Sequence, residues 1–134
     1  MLARSTPSEN RRMTMEGVSE EDLEDSMKSC LFYFADSARI AAAGPDLALQ
    51  QSYGHFAAAW ELRQELLVGE SLLHWSGVSE TLKQRIARLV GAAAALSEAA
   101  FAGNDASELF HPSWEQVRDA ASRFLVAREI ELAG

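Results

Sequence analysis

The stretch from Ser19 to Asp46, SEEDLEDSMKSCLFYFADSARIAAAGPD, decides the fold class. Its apolar residues recur at spacings of three and four, the pattern of a single apolar helix face. That face consists of Leu23, Met27, Cys30, Leu31, Phe34, Ala38 and Ala41. Ser19 can cap the first free N–H groups, and Gly44-Pro45 cannot continue a helix. The stretch therefore predicts an α-helix over residues 19–43.

Helical spacing continues in three later stretches and predicts helices over residues 46–76, 79–102 and 113–132. Asp46 and Ser79 are the expected caps of the first two, and Ser113 with Gln116 forms a predicted capping box for the last. The predicted core faces are, in order, Leu49, Tyr53, Phe56, Trp60 and Leu67; Leu82, Ile86, Leu89, Val90, Ala93, Leu96 and Ala100; and Trp114, Val117, Ala121, Phe124, Leu125 and Leu132. The connection before Ser113 predicts one short helical turn over residues 107–110.

Four helices with short links favour antiparallel neighbours, and no strand-like alternation competes with them. The sequence predicts an all-α fold, a four-helix up-down-up-down bundle formed by a single domain over residues 19–134. Residues 1–18 are polar and have no apolar period, so they predict a flexible N-terminal tail.

The charge balance restricts the partners that the protein can bind. Twenty acidic residues against twelve basic ones give a net charge of −8, which makes nucleic acids and anionic membranes poor partners. Cys30 is the single cysteine, so no intrachain disulfide can form, and a reducing compartment is compatible with the chain. No uncharged run approaches the ~20 residues of a membrane span. We therefore expect a cytoplasmic protein.

The titratable residues fit neither a metal site, nor a phosphorylated histidine, nor a reactive cysteine. Glu70 and His74 are four residues apart, but di-metal bundles need two Glu-x-x-His motifs with further glutamates. The turn that follows His55 contains no basic residue to receive a phosphate, so it does not fit a phosphorylated histidine, and Cys30 lies on an apolar helix face, which disfavours a reactive thiolate. We expect no enzyme activity, no metal and no cofactor.

The predicted helices carry more apolar residues than one core face needs. Tyr33 and Ile40 share a second face of the first helix, and Leu62, Leu66 and Leu73 share a second face of the second helix. In an isolated bundle these side chains would meet water, so they predict an interface, with a homodimer as the expected assembly. The alternative is a wider core that uses both faces.

The sequence thus favours a non-enzymatic, cytosolic protein-interaction module that binds a protein partner. An adaptor, an inhibitor or immunity-type protein and a small secretion chaperone all belong to this class. The alternative is a bundle that binds a small hydrophobic ligand between the first two helices. Its predicted pocket consists of Phe34, Tyr53, Phe56 and Trp60.

Overall fold

The computed structural model describes residues 20–134, and within this range the chain forms five α-helices and no β-strand. The helices are α1 (Glu20–Ala43), α2 (Pro45–Gln51), α3 (Ala58–Leu67), α4 (Glu80–Ala94) and α5 (Trp114–Ala133). Three 3₁₀ segments link them, over Val68–His74, Glu98–Ala100 and Ala106–Phe110. The all-α prediction is confirmed. The predicted tail and the predicted cap at Ser19 lie outside the described residues.

The first predicted helix ends where the sequence indicates. α1 stops at Ala43, and Gly44 has a φ of 107°, a conformation that costs a glycine little and other residues much. Pro45 then begins α2 at once, because its fixed φ and missing N–H suit a first helical turn. Asp46 does not cap this helix as predicted, since Gly44 holds the cap position and no side chain bonds there.

The single helix predicted over residues 46–76 is wrong, because the chain leaves the helix after Gln51. The Gly54 N–H donates to the Leu49 carbonyl over 2.9 Å, and the Tyr53 N–H donates to the Gln50 carbonyl over 3.1 Å. Together these bonds form a Schellman motif, with Tyr53 in the left-handed position at a φ of 56°. The side chain of Tyr53 is 97% exposed, so nothing in the core holds it.

A change of helical pitch after Leu67 then sets which residues reach the core. Leu62 and Leu66 are buried one α-helical turn apart, and Gly69 and Leu72 continue the buried line at intervals of three. Three residues per turn is the period of the 3₁₀ helix that begins at Val68. The expected exposure of Leu62 and Leu66 is therefore wrong, and the wider core is what this chain forms.

α4 begins at its predicted cap but ends earlier than predicted. The Ser79 hydroxyl accepts a hydrogen bond from the Leu82 N–H at 3.1 Å and also contacts the Glu131 carboxylate. Most of the predicted core face is buried, as seen at Leu82, Ile86, Leu89, Ala93, Leu96 and Ala100. The helix stops at Ala94 rather than residue 102, and Ala100 reaches the core from a separate 3₁₀ turn.

We expect Ser79→Ala to lower the free energy of unfolding by about 1 kcal/mol, because the Leu82 N–H loses its capping partner. Ser122→Ala is the control and should change stability by no more than about 0.5 kcal/mol. Ser122 is exposed on the last helix, and its hydroxyl makes no hydrogen bond among residues 20–134. Urea unfolding of both variants measures the difference, and equal losses would contradict this role of Ser79.

α5 keeps its predicted position but not its predicted capping box. The Ser113 hydroxyl bonds to His111 Nδ1 at 3.0 Å rather than to the helix. A reciprocal box forms instead between Asp105, which caps the 3₁₀ segment Ala106–Phe110, and Glu108 within that segment, where the sequence predicted a short helical turn. Hydrogen bonds from the backbone and side chain of Ser107 lower the pKa of Asp105. Of the predicted core face, Trp114, Val117, Ala121 and Phe124 are buried, Leu125 is half-buried, and Leu132 is exposed.

Four segments surround one core, namely α1, α3 together with the Val68–His74 segment, α4 and α5. α1 packs on α5, and α5 packs on α4. α4 packs on α3 and on the Val68–His74 segment, and that segment also packs on α1. Contacts along α1 run in the opposite order to those of its neighbour: Glu24 accepts from the Trp75 indole N–H at 2.6 Å, and Ser37 donates to Glu65 at 2.9 Å. The up-down-up-down arrangement stays a prediction, since the second predicted helix is divided into three pieces.

Candidate functional site

An open groove follows the seam between α1 and α3. Its larger cavity has a volume of about 480 Å³, and a smaller one of about 190 Å³ adjoins it. Glu65 lines both cavities, and we call them together the α1–α3 groove. The larger cavity is lined by Ser26, Cys30, Tyr33, Phe34, Asp36, Ser37, Glu65 and Val68. The smaller is lined by Ile40, Ala48, Gln51, Ser52, Ala58, Glu61, Leu62 and Glu65.

The larger cavity has an apolar floor and an apolar rim. Phe34 is buried and Cys30 is half-buried, and their side chains form part of the floor. At the rim, Tyr33 is 67% exposed and Val68 is 58% exposed, one on each wall. Large apolar side chains that face water across a concave surface are typical of sites that bind another molecule.

The charged residues that line the groove are all acidic. They are Asp36, Glu61 and Glu65, and no lysine or arginine lines either cavity. Glu65 accepts a hydrogen bond from the Ser37 hydroxyl at 2.9 Å, which holds its carboxylate at the junction of the two cavities. An apolar floor beneath several carboxylates suits a ligand that combines apolar groups with a positive charge.

The predicted interface residues divide between the groove and the core. Tyr33 lies on the groove rim, and Ile40 is half-buried in the smaller cavity. Leu62 is buried beneath that cavity, Leu66 is 0% exposed in the core, and Leu73 is half-buried. Since a side chain fully buried within its own chain cannot contact a partner, Leu66 is excluded from a surface site.

The predicted aromatic pocket does not form as a unit. Phe34 is buried and packs edge-to-face on Phe124, with ring centroids 5.1 Å apart. Tyr53, Phe56 and Trp60 are exposed at and beyond the Schellman motif, and they do not line the α1–α3 groove. A space between the first two predicted helices does exist, but Phe34 is the only one of the four residues that lines it.

Val68 and Glu65 were missed in the sequence because both lie near the change of helical pitch. With a constant α-helical period, Val68 belongs to no predicted face. Its exposure follows from the 3₁₀ geometry that begins at this residue. Gly69, one position later, is the feature of the sequence that could have indicated the change of pitch. A Cβ at that position would contact the Phe34 ring.

The titratable residues near the groove do not form a catalytic or metal-binding cluster among residues 20–134. The Cys30 thiol lies 3.6 Å from the Ser71 hydroxyl at the edge of the groove. Glu70 and His74 are both exposed on the 3₁₀ segment, where residues four apart are separated by about 120° around the axis. Over residues 20–134, no three His, Cys, Asp or Glu side chains are grouped so as to hold a metal ion.

Within the described part of the chain, none of the helices combines the length and the apolar character needed to cross a bilayer. Comparisons with protein-family models, with curated proteins and with solved structures return no match. The chemistry of the α1–α3 groove is therefore the basis on which a function can be inferred.

Proposed function

We propose that the protein is a non-enzymatic interaction module whose α1–α3 groove binds a partner segment bearing apolar side chains and at least one lysine or arginine. The observation that carries the proposal is the combination of an exposed apolar rim at Tyr33 and Val68 with a lining whose charges are all carboxylates. The proposed class includes an adaptor, an inhibitor or immunity-type protein and a small secretion chaperone. The proposed location is the cytoplasm, and the proposed architecture is an up-down-up-down bundle.

Two physical arguments support a protein segment as the occupant. Tyrosine contributes a large, stiff contact area at a low entropy cost and is enriched at interfaces, so Tyr33 is suited to anchor a partner. The second argument is electrostatic, because Glu65 has no cationic partner within residues 20–134, whereas Asp36 is paired with Arg39, and the Glu65 carboxylate favours a cationic segment and disfavours an anionic one. The chain's net charge of −8 adds long-range attraction for the same partner.

A photocrosslinking amino acid placed at Tyr33 tests this proposal. We expect ultraviolet light to attach one protein partner at position 33 and none at Phe110, an equally bulky exposed aromatic on a different 3₁₀ segment. Glu65→Lys should reduce the yield about tenfold, which corresponds to about 1.4 kcal/mol of lost binding. Glu98→Lys makes the same charge change at an exposed site outside the groove and should leave the yield unchanged.

Capture of the same set of proteins at positions 33 and 110, or a yield insensitive to Glu65→Lys, would overturn the proposal.

The volume of the larger cavity favours one second candidate, a small hydrophobic ligand, because about 480 Å³ lies within the range of ligand sites. The same experiment separates the two candidates. A small ligand would leave an adduct of low mass on position 33 instead of a protein band.

A further inference from the structure

The larger cavity of the α1–α3 groove opens close to the beginning of α1. Ser26 lies at that end of the cavity, six residues after Glu20, a distance of about 9 Å along the helix. Residues 1–19 join the helix at Glu20, so the groove begins within their reach. From there the groove follows α1 as far as Ile40. A segment that turns back along α1 therefore passes over the groove.

Residues 11–15, RRMTM, carry the side chains that the groove favours. Arg11 and Arg12 are the only pair of adjacent basic residues in the sequence, and Met13 and Met15 follow them. Methionine is unbranched and adapts to irregular apolar surfaces. Residues 1–19 contain three basic and two acidic residues, whereas residues 20–134 contain nine and eighteen. The segment is thus apolar and cationic within an otherwise acidic chain.

Two carboxylates of α3 are available to bind an arginine. Glu65 has no cationic partner within residues 20–134. Glu61, one turn earlier, lies 3.9 Å from His55 Nδ1, but that nitrogen accepts a hydrogen bond from the Ala57 N–H and so has no proton to donate. Both carboxylates line the groove, so a cation bound there has two unpaired partners on the same wall.

The basic side chains closest to these carboxylates along the chain do not oppose the match in charge. Asp36 pairs with Arg39, and Arg39 lines a cavity between α1 and α5. Arg63, which lies between the two glutamates in sequence, donates to the carbonyl of Ala93 at 2.9 Å. Neither arginine lines the groove, so a cationic segment meets carboxylates and no fixed cation there.

The length of the chain before α1 is sufficient for this contact. Arg11 is nine residues from Glu20, and an extended chain of nine residues spans at most about 30 Å. Glu65 lies beside Ser37, seventeen residues along α1, which is about 25.5 Å from its beginning. The remainder allows the chain to reverse, where Gly17 suits a tight turn, and the long arginine side chain adds to the reach.

An extended chain also orients the side chains suitably. Alternate residues point to the same side, so Arg11, Met13 and Met15 share one face. With that face toward the groove, the methionines cover the apolar floor at Phe34, and Arg11 follows at the junction where Glu65 lies. The order of apolar and basic residues in the segment thus matches the order of apolar floor and carboxylates along the groove.

We propose that residues 11–15 occupy the α1–α3 groove of their own chain and compete there with the protein partner. The inference rests on the proposed function, because the segment uses the same rim and carboxylates as the partner. A short tether supplies an effective concentration of about millimolar, so even a weak contact fills the groove for part of the time. Glu9 and Glu16 flank the segment and stay outside the contact.

A photocrosslinking amino acid at Val68, on the rim opposite Tyr33, tests the contact in the purified full chain. We expect ultraviolet light to join position 68 to residues 11–15 of the same molecule, which mass spectrometry of the digested protein identifies. The yield should not change on dilution, because the contact lies within one chain. The same group at Phe110 should give no such product. A product that joins two molecules, or equal yields at both positions, overturns the proposal.

Charge reversal tests the pairing of Arg11 with Glu65. Arg11→Glu should lower the yield of this internal product about tenfold, whereas Arg4→Glu makes the same change seven residues earlier and should leave the yield unaltered. Arg11→Glu combined with Glu65→Lys should recover most of the yield, since the two charges are exchanged. Equal yields in the two single variants, or no recovery in the double variant, overturns the proposal.

Capture of a partner in cells separates this inference from the proposed function. Arg11→Glu should raise the capture of protein at position 33, because it increases the fraction of molecules whose groove is open. Capture that Arg11→Glu leaves unchanged overturns the inference and leaves the proposed function standing. An internal product in the purified chain without any captured partner supports the inference and overturns the proposed function.

Discussion

Replacing Leu66 by glutamate is expected to unfold the protein. Leu66 is 0% exposed on α3, so the new carboxylate would be placed in the core without a hydrogen-bonding partner. Burial of an unpaired charge costs several kcal/mol, a large part of the ~5–15 kcal/mol that stabilises an ordinary domain. Leu66→Ala removes the packing alone and should cost about 2–5 kcal/mol.

Circular dichroism and urea unfolding measure both effects. Leu132→Glu is the control, because Leu132 is 70% exposed on α5 and its replacement should alter stability by no more than about 0.5 kcal/mol. A Leu66→Glu protein that stays helical and merely dissociates from a partner would contradict the buried position and restore the interface predicted from the sequence.

Replacing Gly69 by alanine is expected to destabilise the fold although alanine is the better helix former. A Cβ at this position would lie 2.3 Å from the Phe34 ring, far inside van der Waals contact. Phe34 cannot turn away freely, since it is buried and packs on Phe124 in the centre of the core. Forcing an extra methyl group into such a contact costs about 1–3 kcal/mol.

Gly91→Ala is the matched control and should act in the opposite direction. Gly91 lies in α4, and a Cβ there would meet nothing within 4 Å. Alanine restricts the unfolded chain more than glycine does, so this variant should gain about 0.4–1 kcal/mol. Thermal or urea unfolding of the pair gives the two signs directly, and a stabilising Gly69→Ala would contradict the tight Gly69–Phe34 contact.

The sequence predicted the helices whose boundaries depend on local chemistry. The end of α1 at Ala43 follows from Gly44-Pro45, and the start of α4 follows from the Ser79 hydroxyl, because glycine, proline and capping side chains act on their immediate neighbours. The regular apolar period of α4 likewise places Leu82 and Ile86 in the core, as predicted.

The break after Gln51 could not be predicted in this way. A left-handed residue that ends a helix is usually glycine, whereas here it is Tyr53, and its aromatic ring continued the helical spacing toward Phe56 and Trp60. Because these side chains are large and apolar, the pattern predicted that they, and not Ala58 and Ala59, form the core face. Both alanines are nevertheless buried, because small side chains let neighbouring helices approach closely.

The candidate site was predicted in part for the same reason. Tyr33 and Ile40 lie on α1, whose period is constant, and the sequence placed both on one face that now lines the α1–α3 groove. The opposite wall depends on a change of pitch at Val68, and a pattern read at one fixed period assigns such residues to the wrong side. Leu66 was misplaced for a different reason, because it lies in α3 before the change of pitch, and the exposed aromatic residues Tyr53, Phe56 and Trp60 were predicted as the core face in its place.

The 3₁₀ segment Val68–His74 is longer than an α-helix of the same number of residues. Its seven residues rise about 14 Å, whereas an α-helix of seven residues would rise about 10.5 Å. Trp75 follows directly, and its indole N–H bonds to Glu24 near the beginning of α1. Any conversion of this wall to α-helix would shorten it by about 3.5 Å and pull the indole from that carboxylate. The hydrogen bond between Trp75 and Glu24 therefore depends on the 3₁₀ geometry of this segment.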